Sequence, residues 1–299
     1  MIKINGEQIV LDRFPNFEVL VKTDKLNEFN EKGEKVIIQF KWLHDEDLMH
    51  LYFVIQHLTV KSDLYIYYMP YSRMDRSQNG SCFTLQHVAN LLNSLHSNIE
   101  NIFILEPHSD VTLQLVENSK RINVITPLMK HILKLNPEIN MICYPDKGAK
   151  ARFQDDNVEL PVVFCNKVRD FDTGEIKGLE LDGVIDVAGK NVLILDDLCS
   201  KGGTFYYTAK KLKENGANNI YLGVCHMEVT VRHGEIYKQL DEWGDSDYIS
   251  PVKHIYCLNT MISEIESEML QAESENLTVY NVEDFLNNGE FKEVEEWTF

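Results

Sequence analysis

The sequence predicts an α/β protein in which two mostly parallel sheets are each flanked by helices. Three observations predict it. Short β-branched or aromatic runs alternate with segments of helical period. The alternation runs twice, from about residue 35 to 125 and again from about 140 to 287. No Gly/Ser-rich linker separates the two passes, so two packed domains are expected at 1–125 and 126–299, with a soft boundary near Thr126.

The runs that read as strands are 35–40, 64–69, 101–105, 140–144, 161–165, 191–195 and 218–225. Helices are expected over 45–58, 84–95, 126–135 and 204–215, where apolar residues recur at spacings of three and four. The last of these stops at Gly216, as a helix end should. Parallel strands need crossover connections, and crossover helices cover both faces of a sheet. Nearly continuous apolar strands then follow.

With 299 residues, 44% of them hydrophobic and 25% charged, the chain can bury a core of ordinary size. The balance of 29 basic against 47 acidic side chains gives −18, which disfavours an extended nucleic-acid footprint, because that needs clustered positive charge. Any phosphate must be met locally. Cys82, Cys143, Cys165, Cys199, Cys225 and Cys257 are scattered with no C-x-x-C and read as reduced core residues. No apolar stretch reaches bilayer length and the N-terminus has no signal-peptide core, so no membrane partner is expected and the expected address is the cytoplasm. A virus-encoded chain in its host's cytoplasm would read the same way. The acidic stretches at 264–275 and 293–296 read as solvated faces.

The most informative segment is 191–205, Asn-Val-Leu-Ile-Leu-Asp-Asp-Leu-Cys-Ser-Lys-Gly-Gly-Thr-Phe. Four apolar residues form a buried strand, Asp196 and Asp197 stand at its carboxyl end, and a Gly202-Gly203-Thr204 turn opens a helix. Glycines let backbone N–H groups approach a phosphate, and the helix start adds its positive dipole end. Thr204 offers a hydroxyl or caps the helix. The two acids are placed to accept hydrogen bonds from sugar hydroxyls or to hold a metal through water. Ligands of open α/β sheets sit at this edge. The bland alternative is an acidic loop start followed by a tight turn.

This unit resembles the phosphoribosyl pyrophosphate loop shared by type I phosphoribosyltransferases and the ribose-phosphate pyrophosphokinases. Further segments, in the correct order, resemble the second group. Phe14, Asn16 and Glu18 in Arg13-Phe14-Pro15-Asn16-Phe17-Glu18 resemble its N-terminal adenine-binding element, in which the ring stacks on the base and the polar pair reads its edge across a subunit boundary. Tyr68 to Arg76 resembles its ATP-phosphate segment, with Arg73 and Arg76 as donors and Asp75 orienting one of them. His108 follows a strand where the family places a histidine near the ATP-bound magnesium, and Asp146 in Pro145-Asp146-Lys147-Gly148-Ala149 resembles the acid of its second metal site. Lys167 and Arg169 match the Lys-x-Arg that opens its catalytic loop, here expected from Asp170 to about Leu179.

The resemblance implies two phosphoribosyltransferase-like domains and a Mg²⁺-dependent enzyme. It would move the β,γ-diphosphoryl group of ATP to the anomeric hydroxyl of a ribose 5-phosphoryl acceptor and release AMP. Asp196 and Asp197 would hold the ribose hydroxyls, and Ser200, Lys201, Gly202, Gly203 and Thr204 would cradle the 5-phosphate. Lys167 and Arg169 would be catalytic, and a homo-oligomer of at least dimers, with a hexamer allowed, is implied. The sequence departs from the family pattern at Ser200-Lys201, where an Asp-Thr pair is usual, at Met74, and at Glu106-Pro107 before His108. The first change adds positive charge at the acceptor phosphate, so ADP-ribose stands beside ribose 5-phosphate as an acceptor. A non-catalytic subunit associated with such synthetases, and a true phosphoribosyltransferase, remain as alternatives. The product would feed nucleotide or NAD synthesis.

Overall fold

Apolar runs of four to eight residues form the interiors of two sheets, and polar residues gather in the loops that join them. The structure is a computed structural model that describes residues 1–16, 18–78, 80–95, 98–154, 158–169, 176–182, 186–237 and 250–294, with the side chains of 166–169 and 176–179 left aside. The chain divides into two compact units, Met1–Asn123 and Val124–Phe299.

The first unit holds β1 (Ile2–Ile4), β2 (Glu7–Gln8), β3 (Leu11–Arg13), β4 (Val19–Val21), α1 (Asp24–Lys32), β5 (Val36–Phe40), α2 (Glu46–His57), β6 (Ser62–Ile66), α3 (Thr84–Asn93), β7 (Ile99–Leu105), α4 (Asp110–Leu115) and β8 (Ser119–Ile122). Its sheet runs β2-β1-β5-β6-β7-β8. The last four strands are parallel, and β1 lies antiparallel to both its neighbours. A separate ribbon pairs β3 with β4. Strands β1 to β4 and β8 have two to four residues each, too few for a period to be read.

The second unit holds α5 (Ile125–Leu135), β9 (Met141–Tyr144), α6 (Lys147–Phe153), β10 (Val162–Arg169), β11 (Ile176–Asp182), β12 (Val192–Cys199), α7 (Gly203–Glu214), β13 (Ile220–Met227), a 3-10 turn at Val229–His233, β14 (His254–Leu258), α8 (Glu264–Ala272), β15 (Leu277–Tyr280) and α9 (Val282–Asn288). Its sheet runs β11-β10-β9-β12-β13-β14-β15, parallel except for the β10–β11 pair. The two mostly parallel sheets with their helices are the α/β architecture expected.

The central strands of the second sheet are buried on both faces. Val192 and Ile194 share a core with Phe205, Ala209 and Leu212 of α7. The alternate residues Leu193 and Leu195 face the other way, toward α5, where Gly223 leaves room for Ile132. A Cβ at residue 223 would come within 2.8 Å of Ile132 Cδ1 and 3.0 Å of Leu195 Cδ2. This two-sided burial explains why every residue of β13 is buried.

Several expectations need correction. Strand β12 continues past Leu195 through both acids to Cys199. Strand β10 continues past Cys165 to Arg169, so Lys167 and Arg169 lie within a strand and do not follow one. Residues 176–179 belong to β11, which pairs antiparallel with β10, so they are strand where a loop was expected; 170–175 lie outside the described residues. Five cysteines are buried free thiols, but Cys82 is exposed. The stretch 264–275 includes α8, whose start is fixed by a capping box between Ser263 and Glu266. No helix among the described residues is long and apolar enough to cross a membrane.

Gly223→Val should lower the unfolding free energy by roughly 1–3 kcal/mol through overpacking against α5. Urea unfolding should show that adding Ile132→Ala to it costs less than the sum of the two single changes; strict additivity would show that the glycine is not there to admit Ile132.

Candidate functional site

The carboxyl edge of the second sheet carries the site. Asp196 pairs in register with Val224 of β13, and Leu198 with His226, so the acids sit on rigid strand and not in a loop. The Asp197 side chain is 2% exposed and that of Asp196 16%. Arg152 Nη2 donates to Asp196 Oδ1 at 3.3 Å and to Asp197 Oδ1 at 3.2 Å, and the Asp197 N–H donates to Asp196 Oδ1 at 2.9 Å. Burial, then the neighbouring Asp197, push the Asp196 carboxyl well above the ordinary carboxylate range, and Arg152 opposes them. Two acids held side by side around one cation can accept hydrogen bonds from two adjacent hydroxyls.

Arg152 comes from α6. Asp146 caps that helix, accepting the Ala149 N–H at 2.9 Å. Gly148 gives the packing room, since a Cβ there would come 3.2 Å from Asp146 Oδ1 and 3.3 Å from Arg152 Nη1. Residues four apart on a helix share a face, so Arg152 rises beside Gly148 toward the end of β12.

The loop from Ser200 to Thr204 is braced from behind. Gly202 has φ +77°, and a Cβ there would lie 2.3 Å from Ile236 Cδ1. A Cβ on Gly234 would lie 1.8 Å from the Lys201 carbonyl oxygen. Gly203, by contrast, begins α7 with open space where a Cβ would stand. Fold geometry requires glycine at 202, whereas at 203 it leaves backbone open to a ligand. Of the two roles expected of Thr204, a ligand hydroxyl or a helix cap, the cap is not observed: the N-cap is Gly202, which has no side chain, and the first turn of α7 carries no acid. Uncapped first-turn amides at a positive helix end suit an anion.

Ser200 Oγ donates to Glu228 Oε2 at 2.6 Å, Thr230 Oγ1 donates to the same oxygen at 3.1 Å, and the Glu228 N–H donates to the Cys199 carbonyl at 2.9 Å. Lys201 is exposed. Sequence reasoning missed Glu228 and Arg152. Glu228 had a signal: it directly follows β13, the parallel neighbour of β12, so it emerges at the same edge. Arg152 had one too, as a cation on the helix that follows β9, the neighbour on the other side.

In the first unit the loops after β5, β6 and β7 meet at the corresponding edge. Tyr71 has φ +60°, its hydroxyl donates to Asp45 Oδ1 at 2.7 Å, and its ring lies 6.0 Å from Trp42, which stacks on Tyr68 at 5.9 Å. Glu106, buried just after β7, has φ +34°. Arg76 donates to both oxygens of Asp75, at 2.8 and 3.3 Å, and holds that carboxyl below its usual range; the charge of His108 acts in the same sense. The structure therefore brings Asp75, Arg76 and His108 together, with Arg73 exposed nearby in the same loop. On the β3–β4 ribbon, Phe14 is 49% exposed, Asn16 Oδ1 accepts the Glu18 N–H at 3.3 Å, and Arg13 pairs with Glu46.

Lys167 lies opposite Leu179 in the β10–β11 register, and a register shift falls between Val168 and Arg169. Among the described residues no group of three His, Cys, Asp or Glu side chains is arranged to hold a metal. Mg²⁺ bound with substrate phosphates needs only one or two carboxylates and keeps waters. Asp146, a carboxylate at the edge of the sheet that gives one oxygen to a helix cap, fits that requirement; His108, a nitrogen donor, fits a contact through water better than direct ligation of so hard a cation.

No family model matches the chain. Among curated relatives, the ribose-phosphate pyrophosphokinase of Saccharolobus solfataricus is 25% identical over 192 residues, 61% of this chain and 64% of the relative. That of Thermococcus kodakarensis is 28% identical over 227 residues, covering 73% of this chain and 77% of its own. The chain thus spans slightly under two thirds of the Saccharolobus relative. The crystal structure of phosphoribosylpyrophosphate synthetase from Mycobacterium smegmatis superposes with a TM-score of 0.68 at 20% identity, covering 94% of this chain and 88% of the other. The fold of the two units is thereby the phosphoribosyltransferase-like one.

Removing Arg152 leaves two buried acids facing each other. Because the raised pKa of Asp196 already penalises its ionised form, folded-state stability falls as pH rises from about 4, the unfolded carboxylate value, through the folded one. Arg152→Met raises the folded value further. The loss in melting temperature it causes should therefore be larger at pH 8 than at pH 4.5, and a loss independent of pH would show that Arg152 contributes packing alone.

Proposed function

We propose, from a chain that is a divergent relative of the ribose-phosphate pyrophosphokinases, that it transfers the β,γ-diphosphoryl group of ATP to the anomeric 1-hydroxyl of a ribose 5-phosphoryl acceptor and releases AMP. One observation carries this reading: a strand-held acid pair, Asp196 and Asp197, lies one turn from the uncapped start of α7. Sugar hydroxyls suit the first and a phosphate suits the second.

In the reaction, the acceptor's O1 attacks the β-phosphorus of ATP. The bond from that phosphorus to the oxygen bridging the α-phosphate breaks, AMP leaves with the bond's electron pair, and the O1 proton passes to solvent. Such transfers depend on positioning and charge neutralisation. Asp196 and Asp197 accept hydrogen bonds from the ribose 2- and 3-hydroxyls, and Arg152 keeps the pair apart and oriented. The amides of Gly203 and Thr204 hold the 5-phosphate. Lys167 and Arg169 stabilise negative charge on the transferring group. Arg73 and Arg76 take the ATP phosphates, with Asp75 fixing the Arg76 fork. By the family resemblance, a Mg²⁺ bound with ATP would lie near His108 and a second Mg²⁺ would be held by Asp146, and these ions would neutralise phosphate oxygens.

Ribose 5-phosphate is the acceptor that the relatives' names support. ADP-ribose is a second reading, favoured by Ser200-Lys201 in place of the family's Asp-Thr. The half-exposed Phe14 supports a homo-oligomer in which Phe14, Asn16 and Glu18 take the adenine of a neighbour's ATP, and the cytoplasm is the proposed setting.

Purified protein with ATP, Mg²⁺ and either acceptor should release AMP and add a diphosphate to the acceptor mass. Lys167→Ala should lower turnover about 10²- to 10³-fold with ATP affinity nearly unchanged. Absence of AMP with both acceptors would leave a non-catalytic subunit as the better reading, and unchanged turnover in Lys167→Ala would remove that residue from the mechanism.

A further inference from the structure

Helix α2 starts at three consecutive acids, and each carboxylate is directed elsewhere. Asp45 occupies the N-cap position, where an aspartate ordinarily accepts an amide of its own first turn, yet its side chain makes no such bond. Its Oδ1 instead accepts the Tyr71 hydroxyl proton at 2.7 Å, from a loop 26 residues further along the chain. Glu46 pairs with Arg13 of the β3–β4 ribbon. Asp47, 7% exposed, turns back to accept the Leu43 and His44 N–H groups at 2.8 and 2.9 Å, and so fixes the loop on which Asp45 stands.

Tyr71 is the residue that this loop grips. At φ +60° it lies in the left-handed region, which a bulky side chain adopts only where its surroundings hold it. Two contacts from the 41–45 loop do so: the Trp42 ring, 6.0 Å from that of Tyr71, and the Asp45 carboxylate on the hydroxyl. The Tyr71 carbonyl then accepts the Met74 N–H at 2.9 Å, so the turn it opens leads directly into Asp75 and the Arg76 fork. Capping its own helix would have been the stabilising use of Asp45. The bond to Tyr71 orders a loop instead.

We propose that Asp45 is a positioning residue for the ATP-phosphate segment: by holding the Tyr71 hydroxyl it fixes the left-handed turn that aims the Arg76 guanidinium. This rests on the reading of Arg73 and Arg76 as donors to the ATP phosphates. Asp45 touches no substrate in this role. Its effect reaches ATP through Arg76, and that distinguishes it from a residue that merely supports the fold.

The test titrates ATP with Mg²⁺ calorimetrically into the full chain without an acceptor, so that no transfer takes place. Tyr71→Phe, which keeps the ring beside Trp42, and Asp45→Ala should each weaken ATP about tenfold, as the loss of one charge-assisted hydrogen bond predicts. Asp45→Asn, whose amide oxygen still accepts the hydroxyl proton, should stay within about twofold of the wild type. In an Arg76→Ala background, Asp45→Ala should weaken ATP by less than about threefold more, because the group being aimed is gone. Unchanged affinity in Tyr71→Phe and Asp45→Ala would overturn the assignment, as would an Asp45→Asn protein as weak as Asp45→Ala. So would the whole of the Asp45→Ala loss recurring in the Arg76→Ala background, which is what a purely structural role produces. A wild-type protein that does not bind ATP would remove the reading of Arg73 and Arg76 and this inference with it, whereas ATP binding indifferent to Asp45 and Tyr71 would remove the inference alone.

Discussion

The site depends on one electrostatic constraint: two adjacent carboxylates at the end of a strand that is buried on both faces. Ionised groups in such surroundings cost several kcal/mol each unless paired. Arg152 supplies the pairing, bridging Asp196 and Asp197 at 3.3 and 3.2 Å. Burial first, and then the neighbouring Asp197, drive Asp196 toward its protonated form against the pull of Arg152. A fold gains no stability from that arrangement, since an apolar pair at the end of β12 would pack more cheaply. Residues held against their electrostatic preference in this way are more readily explained by a ligand than by folding.

The surrounding architecture is organised around that cost. Helix α6 is capped by Asp146 and thinned at Gly148 so that Arg152 can approach. Helix α7 starts without a side-chain cap, its amides left for something outside the fold, while the backbone leading into it is braced by Ile236 and by the contact of Gly234 with Lys201. On the proposed reading of 200–204 as a phosphate site, the brace matters because such a loop works only if its amides point the right way before the ligand arrives. Rigidity at Gly202 and openness at Gly203 are therefore two halves of one requirement.

Much of this was legible in the sequence, and particular residues show why. The run Val192 to Leu195 followed by two acids and two glycines carries its strand, edge and helix start in consecutive positions, so spacing alone conveyed it. Where β12 and β10 end did not follow, because the pairing of Asp196 with Val224 and of Lys167 with Leu179 depends on neighbours distant in sequence. Polar residues inside a strand look like loop until the partner strand is known. Arg152 and Glu228 were missed for the same reason: each reaches the acids or the loop across 28 to 45 residues of chain. The glycine pair was legible as a pair, yet the different reasons for its two members emerged only with Ile236 in place.

The same edge logic operates in the first unit, where different chemistry gathers. Tyr71 and Glu106 adopt left-handed backbone conformations that cost a non-glycine residue of order 1–3 kcal/mol each, and both stand just past the carboxyl ends of parallel strands. Tyr71 is held there by its hydroxyl on Asp45 and by Trp42, and the loop it opens delivers Asp75 and Arg76 as a fixed fork beside His108. Strain of this kind persists only where packing over-determines it, and a surface ion pair would not need it. The bent backbone at 71 and the aromatic cluster that locks it are thus better understood as the means of aiming Arg76 than as accidents of a loop. In each unit the carboxyl end of a parallel sheet supplies the rigid edge on which the charged groups are held.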